Sequence, residues 1–225
     1  MTSGQASISG AISAMRLEAR ALACRRAGRL VFAGVDFTLA SGGALSVEGR
    51  NGAGKSSLLA MLCERLQPAN GRLSLEGAGE EPLSGFVNFV GHREGLKSTL
   101  TAGENLAFAA AMLGQMRLSL RESLARLDVE HLEDVPVARL SAGQKRRVAL
   151  ARLALSARPL WVLDEPMTAL DADSRDLLRG LMNEHLGQGG MIVAATHAPL
   201  ELRNTVSLHI EPPEGGAILE SEAVW

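Results

Sequence analysis

Tyrosine is absent from these 225 residues, and the aromatic share is 3%. Cysteine is nearly absent too. Cys24 and Cys63 have no metal-like spacing and offer no disulfide framework, which suits a reducing cytosol. Charge of one sign is lacking: the net value is −2, so neither nucleic acid nor an anionic membrane is implied. No apolar run approaches the ~18–20 residues needed to cross a bilayer.

What is present is a chain that is 46% hydrophobic, enough for one well-packed domain or a core with a subdomain. The first fourteen residues, MTSGQASISGAISA, are small and polar, without the charged and apolar regions of a secretory signal. Regular patterning begins at Met15. The expectation is a disordered tail or an over-long start at 1–14, then a single domain over 15–225.

From Met15 to Glu48 the pattern is strand-like, with ALSVEG (44–49) as a short buried strand. A helix is expected from Lys55 to Leu66, then strands at 72–77 and 86–91. TAGE (101–104) and SLRE (119–122) fit the S/T-x-x-E capping box, so roughly 97–155 is expected to be a helical insert. PLWVLDEP (159–166) is a buried strand, SRDLLRGLMNEHL a helix stopped by the glycines at 188–190, and MIVAATH a further strand. Strands alternating with helices predict a parallel sheet covered on both faces.

GRNGAGKS (49–56) follows a strand and opens a helix, the setting that the G-x-x-x-x-G-K-[ST] pattern requires. Gly49, Gly52 and Gly54 permit a wrap that aims successive N–H groups at one phosphate. Lys55 would reach the β- and γ-phosphates of ATP, and the Ser56 hydroxyl would ligate Mg²⁺. LWVLDEP ends an apolar strand with two carboxylates. Asp164 would hold Mg²⁺ through water, and Glu165 would polarise an attacking water. In TALD (168–171) Asp171 can also cap the next helix. His197, after MIVAAT, could bond the γ-phosphate. RLSAGQKRR (139–147) looks like a second anion site: Ser141 can cap, Gly143 lets a ligand approach, and free N–H groups at a helix start attract anions.

These motifs, in this order, resemble the nucleotide-binding domain of ABC transporters over about residues 16–210. The resemblance implies an α/β P-loop NTPase (RecA-like) core with a parallel sheet, an N-terminal antiparallel β subdomain and a helical subdomain. It carries Gly49, Arg50, Asn51, Gly52, Ala53, Gly54, Lys55, Ser56 and Ser57 into the Walker A loop. LSAGQ (140–144) becomes the signature, LWVLDE the Walker B strand, TALD the D-loop and His197 the switch histidine. It also says what a second phosphate site is for. In this family two cassettes pair head-to-tail, so Ser141, Gly143 and Gln144 would contact ATP held by a second copy. Lys145, Arg146 and Arg147 read as a basic, solvated face with no assigned role.

Two positions depart from the family pattern. The first-strand aromatic that stacks on adenine is replaced by Arg26, or by Arg25; a guanidinium can stack on a purine. The glutamine that ligates Mg²⁺ is replaced by His92, whose imidazole suits Mg²⁺ less well than an amide oxygen. Both are features of the haem-exporter ATPases of cytochrome c biogenesis, which GHREGLKSTLTAGENLAF and LSAGQKRRVALARLAL resemble. That subfamily implies an ATPase coupled to transmembrane transport, peripheral on the cytoplasmic face of the bacterial inner membrane. Its partners would be an integral haem-exporter membrane subunit, a second cassette in an ATP-sandwich homodimer and the cytochrome c maturation complex, with no nucleic acid. The rival is the ATPase of another exporter, for lipid, lipoprotein or drug. A DNA-repair ATPase would need a long coiled-coil or metal-bearing insert, a translation factor two cassettes, and a small-molecule kinase has no use for LSAGQ and TALD.

Overall fold

The computed structural model describes residues 15–114 and 116–212; the tail expected at 1–14 lies outside the described residues. Among the described residues, eight strands form two sheets. β1 (Arg16–Arg26) and β2 (Arg29–Ala40) make an antiparallel hairpin, and β4 (Asn70–Glu76) joins β1 on its other side. The second sheet is parallel, in the order β5 (Val87–Val90), β6 (Leu160–Asp164), β7 (Met191–Ala195), β3 (Ala44–Glu48) and β8 (Thr205–His209).

Period-2 alternation divides the core in two. Leu160 and Val162 of β6, with Met191 and Val193 of β7, face the antiparallel sheet and pack with Leu17, Phe32 and Leu58. Trp161 and Leu163, with Ile192 and Ala194, face the other way, onto helices. Both faces of these strands are buried, which is why they read as unbroken apolar runs.

Helix α1 (Lys55–Leu62) follows β3. It stops before Leu66 because Glu64 turns left-handed at φ 54°, and its carboxylate accepts hydrogen bonds from the backbone N–H and hydroxyl of Ser84. The short helix α2 (Leu83–Phe86) then takes the first residue of the strand expected at 86–91. Between β5 and β6 the chain is helical: α3 (Ala102–Leu113), α4 (Leu120–Ala125), two 3₁₀ turns and α5 (Ala142–Leu155). Thr101 with Glu104, and Ser119 with Glu122, form the two capping boxes legible in the sequence. Ser141 with Gln144 forms a third, using glutamine as the returning acceptor. Helix α6 (Ala172–Gly187) covers β7 and is capped by Asp171.

In an open parallel sheet, ligands bind beyond the carboxyl ends of the strands. Here β3 ends at the phosphate loop, β5 just before His92, β6 at Asp164 and β7 just before His197. Four strand ends thus deliver residues from distant parts of the chain to one edge.

Candidate functional site

The loop from β3 to α1 tolerates only glycine at two of its turns. At Gly49, φ is 143° and a Cβ would strike the Ile210 carbonyl oxygen. Gly54 caps α1 at φ 106°, where a Cβ would lie 2.7 Å from Phe32 Cδ1 and Val31 Cγ1. Lys55 Nζ turns back into the loop and donates to the carbonyls of Gly49 at 2.8 Å and Arg50 at 3.3 Å. The ammonium is thus held by neutral acceptors at the place where a phosphate would sit. The same Nζ stands 3.3 Å from His197 Nε2.

Across the loop, Ser56 Oγ donates to Asp164 Oδ2 at 3.1 Å. A hydroxyl and a carboxylate at this spacing are the hard oxygen ligands that Mg²⁺ prefers, so this donor set fits the ion. Glu165 follows at φ 48°, a left-handed conformation uncommon for residues other than glycine. Its N–H donates to the Ala195 carbonyl at 2.9 Å, tying the end of β6 to the end of β7. Its Oε1 is buried without a hydrogen-bond partner, and His197 Nε2 lies 3.5 Å from it. A buried acceptor left free beside a phosphate loop is suited to take a hydrogen from water.

A cavity of about 860 Å³ gathers these groups. Its lining includes Asn51, Gly52, Gly54, Lys55, Ser56 and Ser57 of the loop, with Asp164, Glu165 and His197. Arg26 and His92 also line it, while Arg25 does not. Thr168, the first residue of TALD, is a further lining residue that the sequence did not single out. Gly49, Arg50 and Ala53 shape the loop without lining the cavity; Ala53 is buried beneath it.

Ser141, Gly143, Gln144 and Asp171 are not brought to this cavity. Ser141 is exposed at the start of α5, where its Oγ accepts from Gln144 N–H at 3.2 Å and leaves its own hydrogen available. Gln144 Oε1 accepts from Ser141 N–H at 2.9 Å. Gly143 packs against the loop before α6, with space for a Cβ only 3.3 Å from the Ala169 carbonyl oxygen. Asp171 accepts from Ser174, whose hydrogen bonds hold the carboxyl below its ordinary pKa.

The basic stretch after the signature corrects the expectation of a solvated face. Arg146 is only 2% exposed and donates to three backbone carbonyls, of Gly91, Asp164 and Glu165. Burial pulls its pKa down, and the carboxylates of Glu94, Asp164 and Glu165 oppose that pull. Arg147 reaches the carbonyls of Leu127 and Asp128 and the Asp128 carboxylate. A signal for Arg146 was available: it shares a helix face with Leu150 and Leu153, both fully buried.

Known proteins resemble this chain over most of its length. The profile of the family described as ABC transporter matches residues 32–168. A protein of Bradyrhizobium diazoefficiens named cytochrome c biogenesis ATP-binding export protein CcmA is 49% identical over 187 residues, which is 83% of this chain and 94% of that one. One of the same name from Cupriavidus pinatubonensis is 45% identical over 210 residues, 91% of this chain and 88% of its own. Among solved structures, an ABC transporter ATP-binding protein from Pyrococcus furiosus superposes with a TM-score of 0.74 at 24% identity, covering 87% of this chain and 97% of that one. The ATP-binding cassette MJ0796, a dimer in a post-hydrolysis state bound to ADP and Pi, gives 0.73 at 22% identity, covering 87% and 96%.

Proposed function

This chain belongs to the ABC transporter family, and we propose that it is the ATP-hydrolysing subunit of an exporter serving cytochrome c biogenesis, powering haem export or release of a haem-loaded chaperone. The observation that carries the catalytic part is the meeting of the phosphate loop, the Ser56–Asp164 pair and the free Glu165 carboxylate in one cavity. The export role comes from relatives 43–49% identical over at least 83% of this chain that bear the cytochrome c biogenesis name.

Lys55 exchanges its loop carbonyls for the β- and γ-phosphates, so the cation is already in place when ATP enters. Ser56 and Asp164, with His92 lining the same cavity, would hold Mg²⁺, which would supply charge neutralisation at the phosphates. Glu165 orients the attacking water and takes up its proton. His197 lies within reach of both Lys55 and Glu165, placed to bond the γ-phosphate. Arg26 lies against the base. Ser141, exposed, with the half-buried Gly143 and Gln144, all away from their own cavity, complete the cavity of a second copy, and Asp171 lies at that junction.

The membrane subunit needs a seat. A cavity of about 500 Å³ opens between β5 and α3, and no acidic residue is among the described residues that line it. Its rim carries Phe108 and Met112, which are 54% and 69% exposed, with Lys97 Nζ 4.8 Å over the Phe108 ring. Apolar floor and uncompensated cations suit an apolar cytoplasmic segment that carries a carboxylate. That partner would hold the chain peripherally on the cytoplasmic face of the bacterial inner membrane.

A pull-down from solubilised membranes tests this reading. It expects a small integral membrane subunit and cytochrome c maturation proteins, in amounts that Lys97→Glu reduces. Recovery of a drug- or lipid-exporter subunit instead would overturn the haem assignment.

A further inference from the structure

Glu165 has an improbable backbone. A non-glycine residue at φ 48° persists only where its surroundings over-determine it. The two dihedrals at its Cα are the angles between that carbon and two peptide planes, one carrying the Asp164 carbonyl and the other the Glu165 carbonyl. Nη2 of Arg146 donates to both, at 3.1 Å and 2.7 Å. One nitrogen therefore holds both planes that flank the Glu165 Cα, and with them the direction of its Cβ. The other arm of the fork, Nη1, donates to the Gly91 carbonyl at 2.8 Å, one residue before His92.

We infer that Arg146 is a positioning residue for ATP hydrolysis: it fixes the Glu165 carboxylate by gripping the peptides on either side of it, and anchors the His92 loop to the same guanidinium. This rests on the assignment of Glu165 as the group that orients water, and it deepens that assignment. Arg146 is not among the residues lining the cavity, so its action on the reaction runs through Glu165.

The chemistry explains the choice of arginine. Its planar fork presents several donors in fixed directions, whereas a lysine ammonium is a single point that cannot span acceptors on two strands. The position along α5 also has meaning. Arg146 lies five residues after Ser141 on one rigid helix, so the helix that carries the signature is bolted to the water-orienting glutamate of its own chain.

The test compares Arg146→Lys and Arg146→Met with Arg152→Lys in the full-length chain. Arg152 lies on the same helix and donates to the Phe89 carbonyl, outside the nucleotide cavity. It lines the cavity proposed for the membrane subunit, which is absent from this assay, so here it controls for loss of a partly buried arginine. The probe for binding is trinitrophenyl-ATP, and hydrolysis is followed as phosphate release. Misplacement of a catalytic group by about 1 Å lowers rate roughly 100-fold, so kcat should fall about 10- to 100-fold in both Arg146 variants while the dissociation constant stays within about threefold. Arg152→Lys should leave kcat near wild type even if its melting temperature falls. A folded Arg146 variant with wild-type kcat, or a parallel loss in the Arg152 control, would overturn the inference. So would Arg146 variants that cannot fold, since the role would then be structural. A wild-type chain that binds the probe but never hydrolyses ATP would instead overturn the ATPase reading itself.

Discussion

Ser56 Oγ and Asp164 Oδ2, 108 residues apart in the chain, are joined by a hydrogen bond of 3.1 Å. It closes the gap between the end of β3 and the end of β6, and sets a hydroxyl and a carboxylate side by side next to the phosphate loop. On the proposed reading, in which this pair holds Mg²⁺, ATP binding at the site depends on the metal. Asp164→Asn should cut the Mg²⁺-dependent gain in ATP affinity and lower hydrolysis by at least about 100-fold, since a neutral amide binds a hard cation far more weakly than a carboxylate. Titration calorimetry with and without Mg²⁺ reads this directly, and an unchanged Mg²⁺ dependence would remove Asp164 from the metal site.

Glu165 Oε1 is buried and free, so replacing the carboxylate with an amide changes its chemistry and little else. Glu165→Gln should bind ATP normally, stop hydrolysis and hold the nucleotide-bound dimer. Light scattering on a sizing column should show the mass double when ATP is added. A persistent monomer would count against a nucleotide shared between two copies.

His185 gives the fold a pH dependence. Its ring stacks on Trp161 at 3.9 Å, its Nε2 lies 3.1 Å from the Pro159 carbonyl oxygen, and burial pushes its pKa down to about 4. The unfolded chain therefore binds a proton that the folded chain refuses. Stability from this group is complete above about pH 6.5 and is lost as the pH falls toward about 4, a change of roughly 3 kcal/mol at most. Urea midpoints measured across that range should fall for the wild type. For His185→Phe, which keeps the stacked ring and loses the proton, they should fall less. Equal slopes would assign the acid sensitivity to other groups.

Arg26 stands where an aromatic ring was expected against the base, and it lines the cavity beside Val31. A guanidinium stacks on any purine, so base discrimination should be weak. GTP should support hydrolysis within about tenfold of ATP, roughly the difference that one such contact can make at an exposed site. Hydrolysis far slower with GTP would show that other groups read the base.

The loop residues Asn51 to Ser57, with Asp164, Glu165 and His197, were legible because each stands in a local pattern or at a strand end, while Arg26 and His92 came only from the family resemblance and Thr168 was not singled out. A glycine-rich turn, an apolar strand ending in carboxylates and a capping box each need only a few consecutive residues. Their spatial meeting also followed, because a parallel sheet gathers strand ends at one edge. Arg146 was not legible as a catalytic support, because its role lies in three carbonyls contributed by two other strands, and carbonyls leave no mark in a sequence. Strand β8 escaped for a different reason. It is an edge strand whose residues are half-buried or exposed, so it lacks the apolar run that marked its neighbours. The early end of α1 escaped as well, since it depends on the contact of Glu64 with Ser84.

The central claim is that a working site takes its phosphate loop from one copy and its signature from another. Two inactive variants test it when mixed. Lys55→Met destroys the loop, and Ser141→Arg blocks the signature while leaving the chain's own cavity open. In a head-to-tail dimer of one variant with the other, one site is doubly damaged and the second is intact. Equimolar mixing should therefore restore roughly a quarter of wild-type hydrolysis, since random pairing gives half the dimers one good site of two. Mixed dimers that form, as seen by differential tagging, yet release no phosphate would contradict the shared site.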